Sequence, residues 1–224
     1  MKNFKFVIIF AFLLVCLFSC SISVKKESPF VQSSLVDSAY SYRIKFLNSF
    51  LEGKFCDAKI YFNKSNLIFA THDKVEMIGL NFYYLYRLYQ YIGEERIRFY
   101  KCSEYYLGKK LSNFISSSKD LIYKRMVEQK KYHSLWLKIN KEKNPIYISV
   151  YSRKVVECAP IKWKKKFLTL AFNIDKKYGW TLFLVEDWKL KKRFFSSKEA
   201  DKHLEVLKSS LENCDFNDDL YYFK

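Results

Sequence analysis

The chain has 224 residues, half of them hydrophobic and 19% aromatic, which supplies one sizeable core and excludes intrinsic disorder for its bulk. Lys and Arg number 40 against 23 Asp and Glu, a formal balance of +17, and with only 5 Gly and 3 Pro the charges must sit on ordered elements. A surface of that sign attracts phosphate, sulfate and carboxylate polymers or anionic lipid, and the attraction weakens with salt.

Lys2 and Lys5 precede an uncharged apolar run over residues 6–18. As a helix this run covers about 20 Å, short of the ~30 Å hydrocarbon core that a spanning helix must cross. A positive start, an apolar run of this length and small residues after it predict a secretory signal peptide over residues 1–19. Its end, "LFSC", places Leu17, Phe18, Ser19 and Cys20 in a pattern that resembles the lipobox of bacterial lipoprotein precursors. Phe18 is bulkier than the usual residue at its place and fits the looser lipoboxes of spirochaetal lipoproteins.

The resemblance implies that Ser19 is the last residue removed and that Cys20 becomes the first, lipid-bearing residue, carrying palmitate-like acyl chains. It implies a cell-envelope protein held on the cell membrane or outer membrane, with the periplasmic or surface face open. Attachment through two or more chains is effectively permanent, since each buried methylene contributes about 0.8 kcal/mol. Cys16 lies within the leader and is lost with it. Cys56, Cys102, Cys158 and Cys214 remain. In an exported protein they allow two disulfides in three pairings, although their wide spacing favours buried free thiols.

Residues 20–34 are polar and Ser-rich and predict a tether in which Lys25 and Lys26 face anionic headgroups. Residues 35–133 read as a helical region. Tyr40, Ile44, Leu47 and Leu51 fall at steps of four, three and four and predict one buried face. Gly53, Phe55, Ala58, Phe62 and Ser65 then resemble the turn and second helix of a tetratricopeptide repeat, and Phe82, Leu85, Tyr86, Tyr89 and Gly93 resemble a first helix. Lys45, Ser49 and Arg98 depart from that pattern, so plain helical hairpins are an equal reading.

Over residues 134–224 the period changes to two. Leu135, Leu137 and Ile139 alternate with polar or aromatic residues, as do Ile146, Ile148 and Val150; further strands are expected at 155–158, 167–173 and 180–187. Ser196 and Glu199 have capping-box spacing and predict a last helix over 197–213 with Ala200, Leu204, Leu207 and Leu211 inward. The expected fold class is therefore α+β, with N-terminal helical hairpins followed by an antiparallel β-meander covered by a C-terminal helix, in one compact domain.

No phosphate loop, GxSxG, HExxH or calcium loop occurs, so no catalytic residue, metal ligand or cofactor is assigned. His72, His133 and His203 are far apart in sequence, and the acidic pairs Glu94 with Glu95, Glu186 with Asp187 and Asp218 with Asp219 are adjacent, so their side chains diverge on a helix or strand. Two basic segments stand out. One holds Lys162, Trp163, Lys164, Lys165 and Lys166; the other holds Trp188, Lys189, Lys191, Lys192 and Arg193. Cations beside aromatic rings suit a polyanion; the alternative is solvated charge around Trp side chains that belong to the core.

These readings converge on a membrane-anchored, non-enzymatic binding module for an acidic polymer or a protein partner, with nucleic acid not favoured. The alternatives are a structural envelope subunit acting through protein contacts and a lipid-anchored hydrolase.

Overall fold

A computed structural model describes residues 29–214 and 216; the segment read as a signal peptide with Ser19, the expected lipid-bearing Cys20, the expected tether as far as residue 28 and the pair Asp218 and Asp219 lie outside the described residues. Among the described residues eleven α-helices follow one another: α1 (Pro29–Leu51), α2 (Phe55–Thr71), α3 (Val75–Tyr91), α4 (Ile97–Leu107), α5 (Lys109–Ser116), α6 (Lys119–Glu128), α7 (Tyr132–Ile139), α8 (Pro145–Cys158), α9 (Ile161–Tyr178), α10 (Thr181–Phe195) and α11 (Ala200–Ser209). The chain divides between Leu35 and Val36, and the packing described here is that of the unit Val36–Lys224.

The expected α+β fold is overturned, because no described residue is in a strand and the stretch assigned to a β-meander forms α7 to α10. Leu135, Leu137 and Ile139 show why. Leu135 and Ile139 are fully buried, whereas Leu137 is 52% exposed. Alternation would have buried all three; burial at Tyr132, Leu135 and Ile139, at steps of three and four, belongs to a helix.

Helix signals were present at the boundaries read as turns. Asn144 caps α8 by accepting a hydrogen bond from the Ile146 amide at 3.0 Å, and Pro145 occupies the first turn, where its missing N–H costs nothing. Gly179 ends α9 in the left-handed conformation at φ 67°, a helix stop rather than a hairpin tip. The last helix is also shorter than expected. It begins at Ala200, and Ser196, assigned to its capping box, instead ends α10 with φ 48°.

At the other end α1 is helical, and of its expected inner face Leu51 is buried and Leu47 packs against the core, but the first half of the face is rotated outward. Tyr40 and Ile44 are 41% and 59% exposed, while Ala39, Arg43, Phe46 and Phe50 are buried. The reason is polar. Arg43 donates from Nη2 to the Met77 carbonyl at 2.8 Å and from Nε to Asn81 at 2.5 Å, and Asn81 donates onward to Ser65 and Asn66 at 3.0 and 2.7 Å. That network joins α1, α2 and α3, and it turns Arg43 rather than Ile44 toward the core.

Most helices pack against neighbours in sequence, so the ends require a separate closure. Cys56 in the first turn of α2 and Cys214 after α11 form a disulfide with their Cα atoms 5.2 Å apart, across 158 residues of sequence. Around it the Glu212 amide donates to the Gly53 carbonyl at 3.0 Å, and the Cys56 amide donates to the Glu212 carboxylate at 2.8 Å. Phe216 is buried against Phe46, Phe50 and Phe62, with ring centroids 5.8–6.2 Å apart. Gly53 sits at φ 78°, and a β-carbon there would collide with the Leu211 side chain. Cys102 and Cys158 are free, the first half-buried and the second exposed, so one of the three pairings is partly realised and the expectation of buried free thiols is met only in that these two are unbridged.

Replacing Cys56 and Cys214 together with Ser should lower the unfolding free energy by about 2–4 kcal/mol, because the bridge restricts a long loop of the unfolded chain. Urea titration of the variant and of reduced wild type should give the same loss; equal midpoints for oxidised and reduced wild type would contradict it.

Candidate functional site

The two basic segments lie on helices rather than sheet loops. Lys162, Trp163, Lys164, Lys165 and Lys166 form the first two turns of α9, and Trp188, Lys189, Lys191, Lys192 and Arg193 form the second half of α10. The helices pack so that these segments meet: the Lys164 ammonium lies 3.3 Å from the Phe194 ring centroid and 3.3 Å from the Glu157 carbonyl oxygen at the end of α8. The end of α8, the start of α9 and the end of α10 therefore form one cationic end of a three-helix group.

The side chains there have different roles. Lys162, Lys165, Lys166, Lys189, Lys192 and Arg193 are exposed. Lys166 lies over the Trp163 ring at 5.3 Å, Lys191 over Trp188 at 4.2 Å, Lys189 pairs with Glu186 at 2.6 Å, and Lys192 pairs with Asp201. Trp188 is only 6% exposed and stacks on His203 at 3.9 Å, so it holds α11 against α10 and offers no ring to a ligand. Trp163 is half-buried, packed on Phe167 with centroids 6.0 Å apart. The reading that placed Trp in the core applies fully to Trp188.

No acid occupies the first turn of α9. Lysines there oppose the positive end of the helix dipole, which costs a few tenths of a kcal/mol for each charge and leaves the potential unrelieved. This end of the group is thus electrostatically uncomfortable as it stands. An anion would relieve it.

Beside it a cleft of about 360 Å³ opens between α8, α10 and the end of α3. Arg153, Lys154 and Glu157 contribute from α8, Glu186, Lys189, Leu190 and Arg193 from α10, and Gln90, Tyr91 and Gly93 from α3 and its turn. Lys189 and Arg193 come from the expected patch, whereas Arg153, Lys154 and Glu157 were not foreseen. Their signal was legible only at helical period: 153, 154 and 157, and 186, 189, 190 and 193, each fall on one face. Assignment of 146–150, 155–158 and 180–187 to strands, with 153, 154 and 189–193 between or beside them, concealed it.

Beneath the cleft lies a buried charge cluster. Arg153 is 5% exposed, and Asp175 and Asp187 are fully buried. Arg153 Nη1 donates to Asp175 Oδ2 and to Ser149 Oγ, both at 2.8 Å, and lies 3.6 Å from Asp187 Oδ1. Ser149 also donates to Asp175 at 2.7 Å, and the Arg153 guanidinium covers the Phe183 ring at 3.8 Å. Burial, opposed by Arg153 and reinforced by Asp175, holds the Asp187 carboxyl well above the usual carboxylate range. Burial also raises Asp175, but Arg153 and Ser149 favour its anion. One guanidinium thus faces two buried carboxyls, both shifted upward by burial.

A second network steadies the cleft from α3 and α6. Asp120 pairs with Arg87 and accepts from the hydroxyls of Tyr151 and, at 3.3 Å, Tyr91. Tyr151 in turn underlies Lys154, whose ammonium is 5.2 Å from the ring centroid and whose pKa is lowered by burial. The residues considered for catalysis stay dispersed: His72 contacts the Ile68 carbonyl, His133 faces Trp163, His203 stacks on Trp188, and Glu186 faces the cleft while Asp187 is buried. Among the described residues no three His, Cys, Asp or Glu side chains gather as a metal site. No described helix is long and apolar enough to cross a membrane.

Comparison with protein-family models, curated proteins and solved structures finds no match to this chain.

Arg153→Met should cost about 3–5 kcal/mol of stability, because it strands two buried carboxyls. Asp187→Asn should behave oppositely with pH. A raised folded-state pKa stabilises fully below the unfolded value of about 4 and loses that contribution as pH rises through the folded value. Chemical denaturation between about pH 4 and pH 8 should therefore show wild type losing stability relative to Asp187→Asn, and a constant difference between the two would contradict the protonated carboxyl.

Proposed function

We propose that the chain is an exported lipoprotein, anchored by acyl chains on Cys20 after removal of residues ending at Ser19, and that its helical domain is a non-enzymatic binding module for an acidic partner at the cell envelope. The observation that carries the binding role is the convergence of both basic segments on one end of the α8–α9–α10 group, with Lys162, Lys165, Lys166 and Lys192 exposed there. The Cys56–Cys214 disulfide supports export, since such bonds persist in oxidising compartments. The lipid anchor rests on the residues Leu17 to Cys20.

A long acidic polymer suits this surface better than a nucleic acid. The exposed cations are spread over two helices and their rings are occupied or buried, so charge and not base stacking supplies the attraction. A protein partner is favoured by a different observation: Tyr40 and Ile44 on α1 and Ile60 and Leu67 on α2 are 41–66% exposed. That apolar surface belongs to the structural-subunit reading.

Binding of a heparin-like polymer to the purified lipoprotein should weaken with salt and fall by about tenfold at physiological ionic strength when Lys162, Lys165 and Lys166 are all changed to Ala. Affinity indifferent to both would exclude the polymer, and a stable co-purifying protein without polymer affinity would favour the structural subunit. Metabolic labelling with a palmitate analogue should mark the wild type and not Cys20→Ala; equal labelling would remove the anchor.

A further inference from the structure

The surface of the α1–α2 hairpin brings two lysines together without a carboxylate. The rings of Tyr42 on α1 and Tyr61 on α2 stack with centroids 6.0 Å apart, and the ammonium groups of Lys45 and Lys64 lie 5.5 and 5.6 Å from the Tyr42 centroid. Both lysines are exposed, and neither forms an ion pair among the described residues. The acids of these helices, Asp37 on α1 and Asp57 on α2, stand about two turns away from the lysine of their own helix. Two like charges therefore converge on one pair of rings, which compensates them only in part. An anion at this place would be attracted by both.

Apolar side chains continue the same face. Ile60, Lys64 and Leu67 follow one another at steps of four and three on α2, and Ile60 and Leu67 are 49% and 66% exposed. Lysine is depleted from the interfaces between proteins. Tyrosine and lysine around exposed aliphatic side chains are instead the composition of a bilayer boundary, where phenol rings sit at headgroup level and ammonium groups meet lipid phosphate. Distance favours the same occupant. From Cys20 to Val36 the chain spans at most about 55 Å even at full extension, so an acyl anchor on Cys20 would hold the hairpin near the bilayer at an effective concentration of the order of millimolar. A weak contact is then sufficient.

We propose that this face of the α1–α2 hairpin docks on an anionic phospholipid bilayer, with Lys45 and Lys64 on lipid phosphates, the hydroxyls of Tyr42 and Tyr61 at headgroup level, and Ile60 and Leu67 at the acyl boundary. The inference rests on the Cys20 anchor proposed above and adds an orientation to it. The lipid holds the chain at the membrane, and the hairpin face sets which side of the domain is turned toward it. The cationic end of α8–α10 uses none of these residues and is left for a separate partner.

The test uses the full-length protein purified with its acyl chains and inserted into nanodiscs of phosphatidylcholine alone or of phosphatidylcholine with phosphatidylglycerol. A water-soluble acylating reagent marks the lysines, and mass spectrometry reads the rate at each. Lys45 and Lys64 should each react about fivefold more slowly in the anionic discs, this protection should vanish at high salt, and Lys162, Lys165 and Lys166 should react alike in both discs. Ile60→Ser combined with Leu67→Ser, with an unchanged melting curve, should remove at least half of the protection. Equal rates at Lys45 and Lys64 in the two discs, protection of the α9 lysines in their place, or protection supplied only by a co-purifying protein would overturn the lipid face. Should the rates be equal while palmitate labelling of Cys20 stands, only the face falls; should labelling fail while added anionic vesicles still protect Lys45 and Lys64, the anchor falls and the face stands.

Discussion

Arg153 carries its charge into the seam between α8, α9 and α10, where Ser149, Asp175 and Asp187 replace the water it gives up. A buried charge of this kind tolerates little displacement, because moving any of the three helices would separate it from its partners. The positions of the cationic end and of the cleft both follow from it. Lys164 reaches Phe194, and Lys189 and Arg193 share a cleft with Lys154, only because α9 and α10 are fixed against α8. The two carboxyls differ: Asp175 is hydrogen-bonded by Arg153 and Ser149, whereas burial holds Asp187 well above the usual carboxylate range.

The closure at the opposite end of the chain has a different physical basis. Helices that contact mainly their sequence neighbours leave a first and a last element without partners. Here the segment after α11 returns to the α1–α2 turn, where the disulfide, two backbone-supported hydrogen bonds and the buried ring of Phe216 hold it. Covalent closure and aromatic burial act together at that junction. The single glycine at φ 78° admits the Leu211 side chain to it.

The proposed envelope role draws on these two features. An oxidised clamp suits a compartment outside the cytoplasm, and an unrelieved positive helix start suits an acidic partner. The aromatic side chains, numerous as they are, serve mostly as core: Phe46, Phe50, Phe82, Phe99, Phe167 and Phe183 are almost completely buried, and Trp188 joins α10 to α11. In the proposed binding role, recognition therefore falls to charge.

Local sequence determined where the cations lie, that residues 35–133 are helical, and that "LFSC" stands at the end of an apolar run. It also contained the helix punctuation of Asn144 with Pro145 and of Gly179, because capping is a property of a few adjacent residues. Only tertiary structure decided that the Ile, Val and aromatic runs after His133 are helices. Short apolar runs fit either period, and which side chains are buried depends on partners distant in sequence; Leu137 alternates correctly for a strand and is nonetheless exposed. The same is true of Arg43, Arg153 and the Cys56–Cys214 pair. Each is an ordinary polar or thiol residue in the sequence, and its role arises from atoms brought beside it across dozens of residues.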